Sequence, residues 1–282
     1  MAMCKDCDII HYEQTHSLPF GMAPLYMLLS IPIEKKRVVT VHRFGSLSNL
    51  RFFNYAYRKA DRIIVHSNDM KKKMLSFNVP ASKISLVPHG APLPPLGRSP
   101  RKEITFFGAP GRAKGFFTIL EALRLLQDRG REVHLHIYGI YGEEEKDKAV
   151  NEAIRIGVAD LLVWGGQLSE AEFDRKMQES IFTLAPYSTT VSGSSIVTRA
   201  MGNAAPIIAS TVGGIPEYLG EGGLLIPPDD PEALASAMTK LLDDPSLREK
   251  LSEEERKRAE TFSWSAVAEK TYDIYYQCMK ET

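Results

Sequence analysis

Short runs rich in Val, Ile, Leu and Phe alternate along the chain with amphipathic stretches of helical period, and this alternation constrains the fold more tightly than any other feature. The first series of runs is CDIIHY (7–12), RVVTVH (37–42), RIIVHS (62–67) and ISLVPHG (84–90), with helical patterns near 18–30, 46–59 and 68–77. The runs are apolar almost throughout, the pattern of strands buried on both faces of a parallel sheet. A Pro-rich segment without periodicity, APLPPLGRSPRK (91–102), reads as a linker. A second series follows: ITFFGA (104–109), VHLHIYG (133–139), LLVWGG (161–166), SIFTLAPY (180–187), APIIAS (205–210) and GGLLIP (222–227). Helices fit between and after these runs at 115–129, 144–157, 170–179, 195–203, 231–243, 246–260 and 264–280.

Strand–helix alternation of this kind predicts an α/β protein with doubly wound parallel sheets. A chain of 282 residues has room for about two domains at roughly 150 residues each. The expectation is therefore two doubly wound Rossmann-like domains, with ligands bound outside the carboxyl ends of the strands.

Composition narrows the function. Lys plus Arg and Asp plus Glu are 35 each, which argues against a nucleic-acid protein that relies on global positive charge. The balance hides an asymmetry. Residues 1–100 carry 14 Lys or Arg against 6 Asp or Glu, a net of +8, and residues 101–282 carry 21 against 29, a net of −8. The basic part suits an anionic partner such as phosphate or a membrane surface, or is a solvated face. Three cysteines (Cys4, Cys7 and Cys278) are too few for a disulfide scaffold and suit a reducing compartment. Cys4 and Cys7 form a lone C-x-x-C near His11 and His16 with no second ligand pair, a weak zinc signal. Asp6-Cys7-Asp8 is a D-x-D that precedes a strand rather than following one. No metal site is expected. The start lacks a signal-peptide pattern, and the apolar stretch 18–33 is broken by prolines and too short to span a bilayer. The expected location is cytoplasmic, with a peripheral position at the membrane surface as an extension.

The strongest local chemical signal is FFGAPGRAKGF (106–116). A strand ends in a Gly-rich turn, and Arg112, Lys114 and Gly115 open a helix. Glycines let the backbone approach a ligand, and the helix N-terminus with two cations beside it suits a diphosphate. A plain strand–helix turn with solvated cations is the structural alternative. At VSGSSIVTRAMG (191–202), Gly193, Ser194 and Ser195 read first as a helix cap alone, and second as a cap whose hydroxyls and backbone N–H groups also bind an anion. TVGGIPEYLGEGG (211–223) adds Gly213, Gly214 and Glu217 after another strand. His42 ends the run RVVTVH where a crevice is expected, whereas His89 in VPHG reads as structural. Trp164 and Gln167, at and after LLVWGG, are candidate base contacts, and a Trp there also suits the core.

The ordered set of motifs resembles the family-4 retaining glycosyltransferases of the GT-B type. It runs through VVTVH (38–42), ADRIIVHS (60–67), KISLVPHG (83–90), FFGAPGRAKGF, GGIPEYLGEGGLLIPPDDPEAL (213–234) and TFSWSAVAEKTYDIYYQ (261–277). The resemblance implies a partial N-terminal acceptor-side domain over 1–95 and a nucleotide-sugar-binding domain over 96–262. It also implies a final helix, 263–282, that returns to the first domain. It implies transfer of a hexose from a UDP- or GDP-linked donor to a hydroxyl, with retention and without metal, in glycan, glycolipid or polysaccharide synthesis. By this similarity Lys114, with Arg112, meets the leaving diphosphate, and His42 lies beneath the reacting sugar. Gly108, Ala109, Gly139, Trp164, Gln167, Gly193, Ser194, Ser195 and Thr198 contact the donor.

Two departures from the family pattern bear on function. Val191 and Arg199 stand where family members carry two glutamates, and GSS (193–195) is similar to the helix start of relatives lacking that pair. The chain also starts at the segment matching CDIIHY, so about 70 residues of the usual first domain are expected to be missing, leaving a sheet edge for a partner, either a second copy or a separate subunit. The alternative reading is thus a nucleotide-sugar-binding subunit of a split transferase, or a non-catalytic partner protein. Nothing in the motifs points to an epimerase of the same fold.

Overall fold

The computed structural model describes residues 7–14, 34–42, 55, 57–97, 99–189 and 194–281. The expected helix at 18–30, most of that at 46–59, Cys4, Val191 and Gly193 lie outside them. In chain order the strands and helices are β1 (Ile9–Gln14), β2 (Lys36–Val41), β3 (Arg62–Val65), α1 (Asn68–Ser76), β4 (Ile84–Leu86) and β5 (Glu103–Phe107). There follow α2 (Phe116–Asp128), β6 (Leu135–Tyr138), α3 (Glu143–Ile156), β7 (Leu162–Gly166), α4 (Glu170–Gln178) and β8 (Ser180–Ala185). The chain continues through α5 (Ser195–Gly202), β9 (Ile207–Ser210), α6 (Ile215–Leu219) and β10 (Leu224–Ile226), and ends in α7 (Pro231–Asp243), α8 (Pro245–Thr261) and α9 (Trp264–Lys280).

The chain forms two compact units. One runs to His89 and takes in Trp264–Thr282, and the other holds Gly90–Thr190 and Ser194–Ser263. In the first, four parallel strands lie in the order β1-β2-β3-β4, so the described strands wind in one direction only, as one half of a doubly wound sheet does. Val39, Val41, Ile63 and Val65 point to one face, over Met70 and Met74 of α1. Val38 and Ile64 point to the other, against Ile274 and Cys278 of α9. The period-2 alternation of a strand thus buries both faces, which is why β2 and β3 are apolar over most of their length.

The second unit is a six-stranded parallel sheet in the order β10-β9-β8-β5-β6-β7. The chain winds outward from β5 through β6 to β7, then crosses back to β8 and winds the other way. This is the Rossmann order, and it places a reversal between β5 and β8. Its core joins Phe106, Ile137 and Leu184 of the sheet to Phe116, Leu120 and Leu123 of α2. The polar helix starts are set by side-chain caps: Ser169 with Glu172 forms a capping box at α4, and Asp230 and Asp244 cap α7 and α8, each followed by a proline.

The Pro-rich segment is docked on the second unit instead of spanning free. Ala91 N–H donates to Phe262 O (2.7 Å), and Arg256 Nη1 donates to Pro94 O (3.2 Å). Gln178 donates to Pro95 O and accepts from Gly97 N–H (3.1 and 2.7 Å). Pro94 and Pro95 carry no N–H, and their carbonyls are met by the side chains of Arg256 and Gln178. Among the described residues, no helix is long and apolar enough to cross a membrane.

Candidate functional site

Each unit gathers polar side chains at the carboxyl ends of its strands. In the first unit the parallel register sets Thr40 beside Glu13 and Val41 beside Val65, so the residues that follow β2, β3 and β4 emerge together. These are His42, His66 and His89. His42 Nε2 lies 2.7 Å from Glu13 Oε2, and His42 Nδ1 lies 3.1 Å from His66 Nε2. His66 Nδ1 donates to the Val87 carbonyl at 2.8 Å. His11 is tied to Tyr275 Oη (2.5 Å) and Thr40 Oγ1 (2.7 Å). The ring of His89 stands edge-on to those of His66 and Trp264, with centroids 5.6 and 5.9 Å apart.

Burial pushes His66 down to about 4, against the opposing bond to Val87 O, so its imidazole is neutral near pH 7. Burial also lowers His11. For Glu13, burial pushes the carboxyl up, but hydrogen bonds from His42 and Thr40 with the nearby imidazoles outweigh it and leave the group below its ordinary value.

In the second unit β5 ends at the reversal of strand order, followed by Gly108–Gly111 and a single 3-10 turn, Arg112–Lys114. Gly115 joins this turn to α2 with φ +70°, and a Cβ there would sit 1.7 Å from Pro186 O, so only glycine fits the close approach of the two strand-end loops. Gly108 and Gly139 form a second close contact, with φ of +134° and +149°. Lys114 Nζ lies 4.3 Å from the ring centroid of Tyr187, the second residue after β8, and 3.2 Å from its hydroxyl. Tyr187 Oη is 3.0 Å from Ser194 Oγ, and Ser194 caps α5 by accepting from Val197 N–H. Lys114, Tyr187 and Ser194 therefore form one row linking the β5 loop, the β8 loop and the start of α5. Tyr187 is fully buried, and Ser210 Oγ donates to its carbonyl at 2.5 Å.

The other expected site residues are spread around this row. Arg112 is exposed, and Ala109 is half-buried. Thr198 is buried on α5, Ser195 is exposed at its start, and Gly193 is outside the described residues. Trp164 on β7 packs against Phe116 and Tyr141, with Lys146 Nζ 5.7 Å from its ring, while Gln167 is exposed. Arg199, at the place of an expected glutamate, is held by Glu170 and Asp174 of α4 (2.7 and 2.8 Å) over the Phe173 ring. Three residues that sequence reasoning missed, Tyr187, Glu13 and His66, are central to the two groups. Each lies at or just past the end of a strand, the only signal that marked them.

Two family patterns divide the chain between them. The pattern described as glycosyl transferases group 1 matches residues 95–258, and that of glycosyltransferase family 4 matches residues 2–93. The chain belongs to the glycosyl transferases group 1 family. It is 28% identical over 223 residues to an MMP alpha-(1→4)-mannosyltransferase of Mycolicibacterium hassiacum, covering 76% of this chain and 53% of that protein. It is 31% identical over 134 residues to a D-inositol 3-phosphate glycosyltransferase of Streptomyces griseus subsp. griseus, covering 46% of this chain and 28% of the relative. The chain thus spans about half, or less, of the length of these curated relatives. Among solved structures it is similar to Anabaena Alr3699/HepE in complex with UDP-glucose, with a TM-score of 0.82 at 18% identity, over 96% of this chain and 79% of that one. That likeness identifies the fold as GT-B, two Rossmann-like domains.

Proposed function

We propose that the chain moves a hexose from a UDP- or GDP-linked donor to a hydroxyl acceptor, with retention of configuration at the transferred carbon. The observation that carries this reading is the row Lys114–Tyr187–Ser194 at the reversal between β5 and β8. A crevice outside the carboxyl ends of the strands at such a reversal is where nucleotides bind in this fold class. As the bond from sugar to phosphate breaks, negative charge collects on the diphosphate. Lys114, with Arg112 on the same turn and the N-terminus of α2, is suited to take up that charge, so the reading requires no metal.

In this reading the first unit supplies the acceptor side, with His42 among its candidate residues. The relatives named for an inositol phosphate and the basic character of residues 1–100 favour a phosphorylated hydroxyl acceptor. A second reading, a donor-binding subunit of a split transferase, is favoured by β1, which lies at one edge of the first sheet among the described residues. Incubation with UDP- and GDP-hexoses and D-inositol 3-phosphate, with the product's anomeric configuration read by NMR, tests the proposal. A product with the donor's configuration supports it. An inverted product contradicts retention, and nucleotide binding with no transfer until a partner chain is added supports the second reading.

A further inference from the structure

We propose that Glu13 is the group through which the strand-end cluster of the first unit meets a polyhydroxylated ligand, and that His42 and His66 are positioning residues that hold it. The inference rests on the reading of this unit as the acceptor side.

The Val87 carbonyl only accepts, so His66 Nδ1 carries the hydrogen of that bond. His66 is neutral near pH 7, so its Nε2 holds a lone pair. The hydrogen of the 3.1 Å contact to His42 Nδ1 then belongs to His42. His42 Nε2 faces Glu13 Oε2 at 2.7 Å, a contact that closes only with a proton between the two. Both His42 nitrogens are thereby committed inside the protein. Each ring nitrogen already faces a protein partner, so a ligand would have to displace one of them to reach His42.

Glu13 is different. Its side chain is 52% exposed, and Oε1 lies 3.4 Å from His11 Nε2, a ring already held by Tyr275 and Thr40. A carboxylate has about four lone-pair sites, so this one retains capacity to accept. The groups facing it are His11 and Thr40 from β1 and β2, His42 after β2, and His66 one step further along the row. An ionised, acceptor-only group with two oxygens suits two neighbouring hydroxyls on one ring, each donating to one oxygen. Its charge repels a phosphate at that point, so Glu13 would meet the hydroxyls of a phosphorylated acceptor's ring and not its phosphate. The chemistry selected is a sugar or cyclitol ring presenting a vicinal diol.

The test uses the full chain labelled with 15N in histidine, long-range 1H–15N spectra of the imidazoles near pH 7.5, and titration with myo-inositol, D-mannose and D-glucose. At least one of these polyols is expected to move the His42 and His11 signals saturably. Glu13→Gln keeps the shape and removes the charge, and should weaken that response roughly tenfold. Glu13→Ala should abolish it. An unchanged response in Glu13→Gln and Glu13→Ala, or no response to any of the three in the wild type, overturns the proposal. UDP and GDP binding is measured on the same samples. Its loss with the polyol response intact counts against the donor reading alone, and the reverse counts against this inference alone.

Discussion

Lys114 Nζ stands over the ring of Tyr187 at 4.3 Å and within 3.2 Å of its hydroxyl, so the side chain assigned to the leaving diphosphate is held in place before any ligand arrives. Lysine only donates, so the Tyr187 oxygen accepts from it, and the same hydroxyl shares a second hydrogen bond with Ser194 Oγ. The ring adds a cation–π contact of about 0.5–2 kcal/mol. A lysine already oriented loses less side-chain freedom when it binds an anion.

Removing the cation should cost most. Lys114→Ala is expected to weaken nucleotide-diphosphate affinity by roughly 1.5–3 kcal/mol, a charge-assisted bond. Tyr187→Phe keeps the ring and deletes the hydroxyl, so its effect should be smaller, about 0.5–1.5 kcal/mol. Because the two residues touch, the double variant should lose less than the sum of the singles. Titration calorimetry on the four proteins checks this, and strict additivity would mean that Tyr187 does not act through Lys114.

Gly115→Ala should damage the same loop without touching a charge. The added methyl meets Pro186 O at 1.7 Å in a left-handed backbone, so the two strand-end loops must part. A loss of more than about 1 kcal/mol in urea unfolding is expected, together with weaker nucleotide binding. Gly111→Ala is the control, since a Cβ there meets nothing within 4 Å. Equal losses in both variants would contradict the steric account.

His66 predicts how stability responds to acid. Its pKa is about 4 in the folded chain against an ordinary histidine value of 6.5, so between these the unfolded chain binds the extra proton. Its contribution is complete above pH 6.5 and is lost as pH falls toward 4, by roughly 3 kcal/mol in total. Urea midpoints at pH 7.5 and pH 5 should therefore differ less in His66→Gln than in the wild type. The same difference in both would remove His66 as the cause.

Glu255 works in the opposite sense. It is fully buried on α8, where Oε1 accepts from Ile207 N–H at 3.1 Å, and burial raises its carboxyl well above 4.5 despite that bond and the nearby Arg101. The folded chain keeps the proton that the unfolded chain releases, so stability falls as pH rises above about 4.5. Glu255→Gln should flatten that decline while keeping the fold. A wild-type profile no steeper than the variant's would show that Glu255 is ionised in the folded chain.

The strand runs were legible because burial on both faces of a parallel sheet favours apolar residues at successive positions, as Val38, Val39, Ile63 and Ile64 illustrate. The Gly-rich turn before α2 was legible from its own glycines and cations, although the approach of Pro186 that requires glycine at 115 was not. Tyr187 and Glu13 were not, because their roles depend on which strands become neighbours. Nothing near Tyr187 in sequence reveals that β8 lies beside β5, and nothing near Glu13 reveals that β2 brings His42 within 2.7 Å. The Pro-rich segment looked like a free linker because its anchors, Gln178 and Arg256, lie far along the chain. Arg199 looked like a lost glutamate, and its ties to Glu170 and Asp174 become visible only once α4 and α5 are packed.

The central claim is that the loop from Gly108 to Lys114 receives the diphosphate of a nucleotide-linked sugar. Calorimetric titration of the full chain with UDP, GDP and their hexose conjugates, beside Lys114→Ala, tests it most directly. The account predicts that one nucleotide and its conjugates bind, and that binding weakens at least tenfold in the variant, about 1.4 kcal/mol. Binding of equal strength in both proteins, or no binding of any nucleotide to the wild type, would contradict it.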